Sequence, residues 1–553
     1  MNRHIRALMR ILLAVTVLAI IFPAVLAAQN PEPVDLEMVT RIRQEGFRNS
    51  KVMETVRELT DRFGARLTGS PNLKRANEWA RDQLAKWGLA NAHLESYNFG
   101  RGWAEEFTSV RMVTPDVVML NAIPKAWTPG TNGVVRGKAV KIRAENPEDL
   151  EPYRGKLAGK IVLLGEVRES NPETEPVFSR FTDQRLQEIY EYEMPPDAFA
   201  GRYSPEEIAK RYRMVKVISE FMAQEKAAAV IQPSHFEGGA LTSSGASAYK
   251  PEEPLGVPSL NMAVEHYGRI SRLLDRNVDV ELELDVRTHF YDNDPMAYNT
   301  IAEIPGTGSQ REVVMAGAHL DSWHGGTGAT DNAAGVAVAM EAVRILKALG
   351  VKPRRTIRIA LWSGEEQGLR GSRAYVSEHL AVRPEPTDPR QKALPEYLRS
   401  SAGPLQFKPE YNKVSAYFNL DNGTGKLRGI YAQENAAVRP IFEAWIAPFR
   451  DLGVTTVSLR NSSGSDHQSF NSVGVPGFQF IQDPADYFTR SHHTNLDTYE
   501  RVQRADLMQA SVLLASFLYH TAMREQMLPR QPLLGEGYNQ FDPMPPGYPH
   551  PRR

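Results

Sequence analysis

The sequence predicts an α/β fold: a mixed, largely parallel sheet flanked by helices, interrupted by a β-rich insert. Three observations predict it. From Tyr298 onward, apolar strand patterns alternate with helical ones, the rhythm of a layered sheet. Between residues 116 and 293 the texture changes to Gly- and Pro-rich sequence with short β-like runs. The length, 553 residues, exceeds what one hydrophobic core holds.

The elements follow in order. Arg3, Arg6 and Arg10 precede an apolar run from Ile11 to Phe22; Pro23 breaks it, and Val25-Leu26-Ala27 offers small residues at a cut site. This is the build of a secretory signal peptide over residues 1–27, cleaved after Ala27 or Ala28; an uncleaved anchor is the rival reading. The expected location is periplasmic or secreted. Residues 28–115 form the first part of the main domain. Within them Val52, Val56, Leu59 and Phe63 recur at helical spacing, as do Ala76, Trp79, Ala80, Leu84 and Trp87, with turn chemistry at Leu67–Pro71 between. Ala92–Val118 reads as strands.

The insert, 116–293, carries β-like runs at Gly133–Ile142, Lys160–Leu164, Ala227–Ile231 and Val280–Val286. Its charged, Tyr-rich stretch Glu166–Lys216 reads as helical and exposed. The main domain resumes over 294–525. Strands are expected at Arg311–Ala316, Thr356–Leu361, Val414–Leu420 and Gly477–Ile481. Helices are expected at Asn332–Leu349, Gly368–Glu378, Ala436–Phe449 and Ala505–Met523. The tail, 526–553, is rich in Pro and Gly without an apolar period, so from Pro529 it reads as extended or disordered.

Composition excludes several functions. Lys+Arg 65 against Asp+Glu 66 leaves a formal charge of -1, which argues against nucleic-acid binding by bulk charge. The absence of cysteine excludes a disulfide framework, a thiol nucleophile, an iron–sulfur cluster, a thiolate zinc site and a lipidated N-terminal cysteine. Any metal must be held by His, Asp and Glu. There is no His-Glu-x-x-His helix, no Gly-x-Ser-x-Gly elbow and no phosphate loop of the Gly-x-x-x-x-Gly-Lys type.

What remains is polar residues at the ends of predicted strands, where open α/β sheets bind ligands. His319 closes one strand, and Asp321 can reach back to orient its imidazole. Asp331 sits in the Gly-rich loop that follows; alone it would be a helix cap. Glu365 and Glu366 end the next strand; alone they would be an acidic helix start. Asp421 closes a third, and His492-His493 lie in a polar turn. Together they make a donor set for zinc-like dications. A two-metal site needs a His and a carboxylate per ion, a shared carboxylate and a separate base for the water. His319, Asp331, Glu366, Asp421 and His493 supply the ligands and leave Glu365 free.

These residues resemble the M28 co-catalytic metallopeptidases in the order His-x-Asp (His319–Asp321), Asp-Asn-x-x-Gly (Asp331–Gly335), Glu-Glu (Glu365–Glu366), Asp421 and His-Thr-x-x-Asp-Thr (His493–Thr498). Leu67-Thr68-Gly69-Ser70 and Ser465-Asp466-His467-Gln468-Ser469-Phe470 also look like segments of that family. The insert resembles a protease-associated (PA) domain, placed as in carboxypeptidase Q-like and aminopeptidase-like members. The 166–216 stretch departs from the pattern by being longer than a minimal PA domain needs.

The resemblance implies a zinc exopeptidase fold and two Zn2+ ions. One would be held by His319 and Asp421, the other by Glu366 and His493, with Asp331 bridging. It implies Glu365 as general base and Asp321 as support for His319. His467 is expected to be a scaffold histidine. The implied activity is an exopeptidase on short peptides, whether aminopeptidase, carboxypeptidase or dipeptidase. Homodimerisation is allowed; nucleic acid and stable membrane association after signal cleavage are not expected. Two alternatives stand beside it: an inactive receptor-like scaffold on the same fold, and a single-zinc cyclising acyltransferase.

Overall fold

The computed structural model describes residues 32–167, 176–192, 205–246, 248–392, 399 and 403–531. The expected signal segment, residues 1–27, lies outside them, as does most of the 526–553 tail. Among the described residues, no helix is long and apolar enough to cross a membrane.

Strands are numbered in chain order. The main sheet has eight strands in the order β1 (Ala90–Asn98), β10 (Met296–Ile304), β12 (Thr356–Trp362), β11 (Val313–His319), β15 (Val414–Asn419), β18 (Gly477–Gln482), β16 (Leu427–Tyr431) and β17 (Thr456–Ser458). β12, β11, β15 and β18 run parallel; β1, β10 and β16 pair antiparallel at the flanks. The sheet is thus mixed with a parallel centre, as expected. Every residue of β11, β15 and β18 is buried, the continuous apolar texture of strands covered on both faces.

Alternation decides which side chains go to which face. Val314, Ala316 and Ala318 join one core with helices Leu36–Arg48, Ala334–Ala348 and Arg504–Met523. Val313 and Met315 face the other, with Trp362, Tyr375 and Phe470 from β12 and helices Arg370–His379 and His467–Asn471. Arg504–Met523 is buried almost all round, which is why its pattern shows hardly any amphipathic stripe. The helix Leu36–Arg48 was not legible in sequence, nor was the short pair β16–β17. The helix begins with the Asp35 side chain accepting from Met38 N and buries only Val39, Ile42 and Gly46.

The second sheet has eight strands in the order β3 (Val118–Met119), β2 (Gly102–Thr114), β9 (Glu281–Tyr291), β5 (Val135–Ile142), β6 (Ile161–Leu164), β7 (Ala229–Pro233), β8 (Ser259–Met262) and β4 (Ala122–Pro124). It is mixed, with β5 to β8 parallel. The sheet takes in β2, ahead of the boundary expected at 116, because β2 pairs with β9 from Gly102↔Tyr291 to Thr114↔Glu281. A small ladder, β13 (Ala381–Val382) with β14 (Gln406–Phe407), stands apart.

One expectation is corrected, and the start of the tail shows contacts that its composition does not announce. Part of the 166–216 stretch is not a solvated face: Leu186 and Ile189 of the helix Asp183–Tyr190 are buried against Ile481 of the main domain. The start of the tail is not free either. Leu528 is buried with its N–H donating to Ser415 Oγ, and Arg530 donates to the Tyr411 and Val414 carbonyls. Composition misses both because a few long-range anchors suffice to hold a polar segment.

Candidate metal centre

β11 is followed in sequence by β12 on one side of it and later by β15 on the other. The strand order therefore reverses at β11, the switch point where such sheets open a crevice. Register aligns the ends: His319 pairs with Trp362, and Gly317 with Asn419. His319 is the last residue of β11, Glu365 and Glu366 lie in the turn after β12, and Asp421 lies just past β15. Asp331 sits on the loop entering helix Ala334–Ala348, and His493 on the loop beyond β18.

The structure brings these side chains together. His319 Nε2 lies 3.1 Å from Asp421 Oδ1 and 3.2 Å from Asp331 Oδ1. His493 Nε2 lies 3.2 Å from Asp331 Oδ2 and 2.9 Å from Glu366 Oε2. Asp331 thus offers one oxygen to each imidazole. A Glu365 oxygen completes a group with His319 and Asp421 whose donor atoms all lie within 4.8 Å of one another. Gly335 makes room for this: a Cβ there would meet Asn332 Oδ1 at 2.3 Å and the Leu420 carbonyl at 2.3 Å.

Electrostatics points to cations. His319 Nδ1 donates to the Asp321 carbonyl at 3.0 Å, so its Nε2 lone pair faces carboxylates that also have only lone pairs to offer. Without metal the conflict is relieved by protons. Burial opposes charging His319, but Asp421 and Glu365 raise it well above the usual histidine range. His493 is raised to about 11, again against burial, by Glu366 and Asp331. Burial pushes Glu366 up to about 7 despite His493. Burial first, then the charges of Asp421, Asp466 and Glu366, raise Glu365 well above the carboxylate range, against the pull of His319. Asp331 Oδ2 and Glu366 Oε1 are buried without a hydrogen bond. Orphaned oxygens and crowded carboxylates around two imidazoles fit hard or borderline dications held without thiolate.

Supporting groups complete the site. Asp321 holds the imidazole through its backbone carbonyl; its carboxylate is 3.6 Å from His319 Nδ1. That carboxylate instead accepts from Thr68 Oγ1 at 3.0 Å and from the Glu365 and Glu366 N–H groups at 3.3 Å. It therefore fixes the Glu-Glu turn. Sequence reasoning missed Asp497 and Arg66. The Asp497 carboxylate accepts from Thr330 N at 2.6 Å, Thr330 Oγ1 at 2.8 Å and Asp331 N at 3.1 Å. Its place in the His-Thr-x-x-Asp-Thr run was the available signal. Arg66, fully buried, donates to the Leu320, Thr327 and Gly328 carbonyls, holding the same loop; a lone Arg gives no sequence signal. We predict that Asp497→Asn lowers metal affinity by about 10–100-fold, because an amide N–H would face donors; chelator competition followed by metal analysis measures this.

The remaining histidines separate. His492 stacks on His493 with ring centroids 3.7 Å apart. His467 is buried, its Nε2 is 2.8 Å from the Ser462 carbonyl, and burial lowers it to about 4, so it is a neutral scaffold group. His324 binds the Pro124 carbonyl at 2.7 Å. The second sheet's domain sits directly on the metal loops. Ser243 N donates to the His493 carbonyl at 2.8 Å, and Ser243 Oγ accepts from Gly325 N at 3.1 Å. Trp323 lies between His493 and Trp127, with centroids 6.0 and 6.3 Å away.

Residues 299–518 match the model of peptidase family M28. The chain is 26% identical to bovine carboxypeptidase Q (Bos taurus) over 495 residues, covering 88% of each. Its fold is similar to a peptidase M28 precursor from Shewanella amazonensis SB2B, with a TM-score of 0.64 and 24% identity, covering 90% of this chain and 99% of that one. It is also similar to BSAP, a zinc aminopeptidase from Bacillus subtilis, with a TM-score of 0.53 and 18% identity, covering 86% and 95%.

Proposed function

From the match of residues 299–518 to the model of peptidase family M28, we propose that the protein is an exported two-zinc exopeptidase acting on short peptides. One observation carries the reading: Asp331 turns one oxygen to His319 and the other to His493, while Glu365 stands beside His319 and Asp421. One ion would be held by His319 and Asp421, the other by Glu366 and His493, and Asp331 would be shared.

When bound, the ions supply Lewis-acid activation of a peptide carbonyl and of water. The chain's own residues do the rest. Glu365 takes a proton from the attacking water and hands it to the leaving amine. Burial among carboxylates raises its pKa, the direction that favours taking a proton. Asp321 keeps the Glu365–Glu366 turn in place through two backbone N–H groups. Asp497 holds the backbone N–H groups of Thr330 and Asp331.

The second sheet's domain, which we read as a PA domain, rests on the His493 loop and restricts the cleft to short chains. Trp323, Asp331 and His493 line a small pocket there. Export is read from the N-terminal basic, apolar and small-residue pattern. Free, N-blocked and C-blocked peptides, incubated with and without chelator and read by mass spectrometry, test the reading. Loss of single terminal residues that chelator abolishes is expected. Internal cleavage, or cleavage indifferent to chelator, would overturn it.

A further inference from the structure

The 166–216 stretch is the part of the insert that the functional reading leaves unexplained. Its described portion includes a run that lies along the main domain in antiparallel register with the segment leading to His493. Phe181 N donates to Asp483 Oδ1 at 2.9 Å. Ser179 N donates to the Ala485 carbonyl at 2.8 Å, with Ser179 and Ala485 paired as an isolated bridge. Thr489 Oγ1 donates to the Val177 carbonyl at 2.7 Å. The pairs 181–483, 179–485 and 177–489 run in opposite chain directions about a single antiparallel bridge.

Arg180 secures the centre of this run. Its guanidinium lies 3.1 Å from Asp483 Oδ2 and 2.8 Å from Asp506 Oδ2, and both carboxylates are buried. Arg428 adds a second cation, 3.3 Å from Asp483 Oδ1, and donates to the Phe181 carbonyl at 3.1 Å. Behind the run, Leu186 and Ile189 pack on Ile481. Thr489 lies within the turn Tyr487–Ser491, after which the chain reaches His492 and His493. His493 has φ 56, a left-handed backbone uncommon for residues other than glycine.

We infer that residues 177–181 of the insert brace the 483–493 segment, and that Arg180 is a positioning residue for the His493 half of the metal centre. The chain between Asp483 and His493 contains no regular strand or helix apart from that one turn. Its placement rests on anchors at its ends and along its edge: Arg180 and Arg428 on Asp483, and Arg501, 3.0 Å from Asp486 Oδ2; of these, Arg180 is the one that the insert supplies. The effect on metal rests on the two-zinc reading above; the brace itself does not.

The test is paired. Metal-free wild type, Arg180→Met and Arg180→Lys are compared by hydrogen–deuterium exchange, and the zinc-loaded proteins by metal content against graded chelator. Arg180→Met should speed exchange over 483–495 by tenfold or more and leave β11 and β12 unchanged. It should weaken one of two ions by tenfold or more, with Arg180→Lys restoring part of both effects. In a His493→Ala background, Arg180→Met should cause no further metal loss. Unchanged exchange over 483–495 in Arg180→Met overturns the brace; so does acceleration spread evenly through the main sheet. Wild type holding one ion per chain would overturn the two-zinc reading while the exchange data still decide on the brace. Thr489→Val, which removes only the bond to Val177, guards against an Arg180 variant that fails to fold: a wild-type exchange profile over 487–493 counts against the inference.

Discussion

Glu365→Gln should bind metal as the wild type does and turn over substrate about 10²–10⁴-fold more slowly, the range that a positioned acid–base group contributes. The substitution keeps the side chain's size and removes its capacity to take a proton. It does not touch what holds the turn, because Asp321 grips the backbone N–H groups of Glu365 and Glu366 rather than their side chains. Glu366, which faces His493 at 2.9 Å, also stays in place. Zinc content and kcat/KM should be measured on the same preparation. Near-normal turnover would show that another group takes the proton; lost zinc would show that Glu365 is a ligand.

The second large effect is expected at Asp331. Its two oxygens face different imidazoles, each at 3.2 Å, so Asp331→Ala should deplete both ions, whereas His493→Ala should deplete one. The loss in affinity should exceed the roughly 10–100-fold typical of partners that only orient a ligand. Metal analysis after dialysis against a chelator, run on both variants side by side, distinguishes the outcomes. If Asp331→Ala retained one tightly held ion, the carboxylate would not be shared.

Much of this site was legible in sequence for a local reason. β11, β12, β15 and β18 are parallel strands at the sheet centre, and burial on both faces makes them short apolar runs with few polar interruptions. The first polar residues after such a run lie at the strand's carboxyl end. That is how His319, Glu365, Glu366 and Asp421 declared themselves one by one. Asp331 and His493 lie in longer loops, and only their fixed order with the others singled them out. Asp321 was expected to orient His319 through its carboxylate, but spacing of two residues does not say whether carbonyl or carboxylate meets the imidazole. Here the carbonyl does, and the carboxylate is engaged by Thr68, a residue far away in the chain.

Arg66, the seat of Ser243 on the His493 loop and the Arg180 brace left no pattern to read. Each is a polar residue paired across a long sequence separation, and periodicity records only what a segment's own neighbours do. The same holds for β16 and β17, too short to show a period, and for the anchored start of the tail.

Sequence by itself determined the layered α/β class and the chemical kind of donor available, because burial and composition are written residue by residue and there is no cysteine to compete. Tertiary structure alone decided that Asp331 stands between two histidines and that Ser243 rests on the loops that carry Gly325 and His493. Those depend on strand order and on how two sheets meet, and the order in which strands lie side by side is set by the packing of the whole chain.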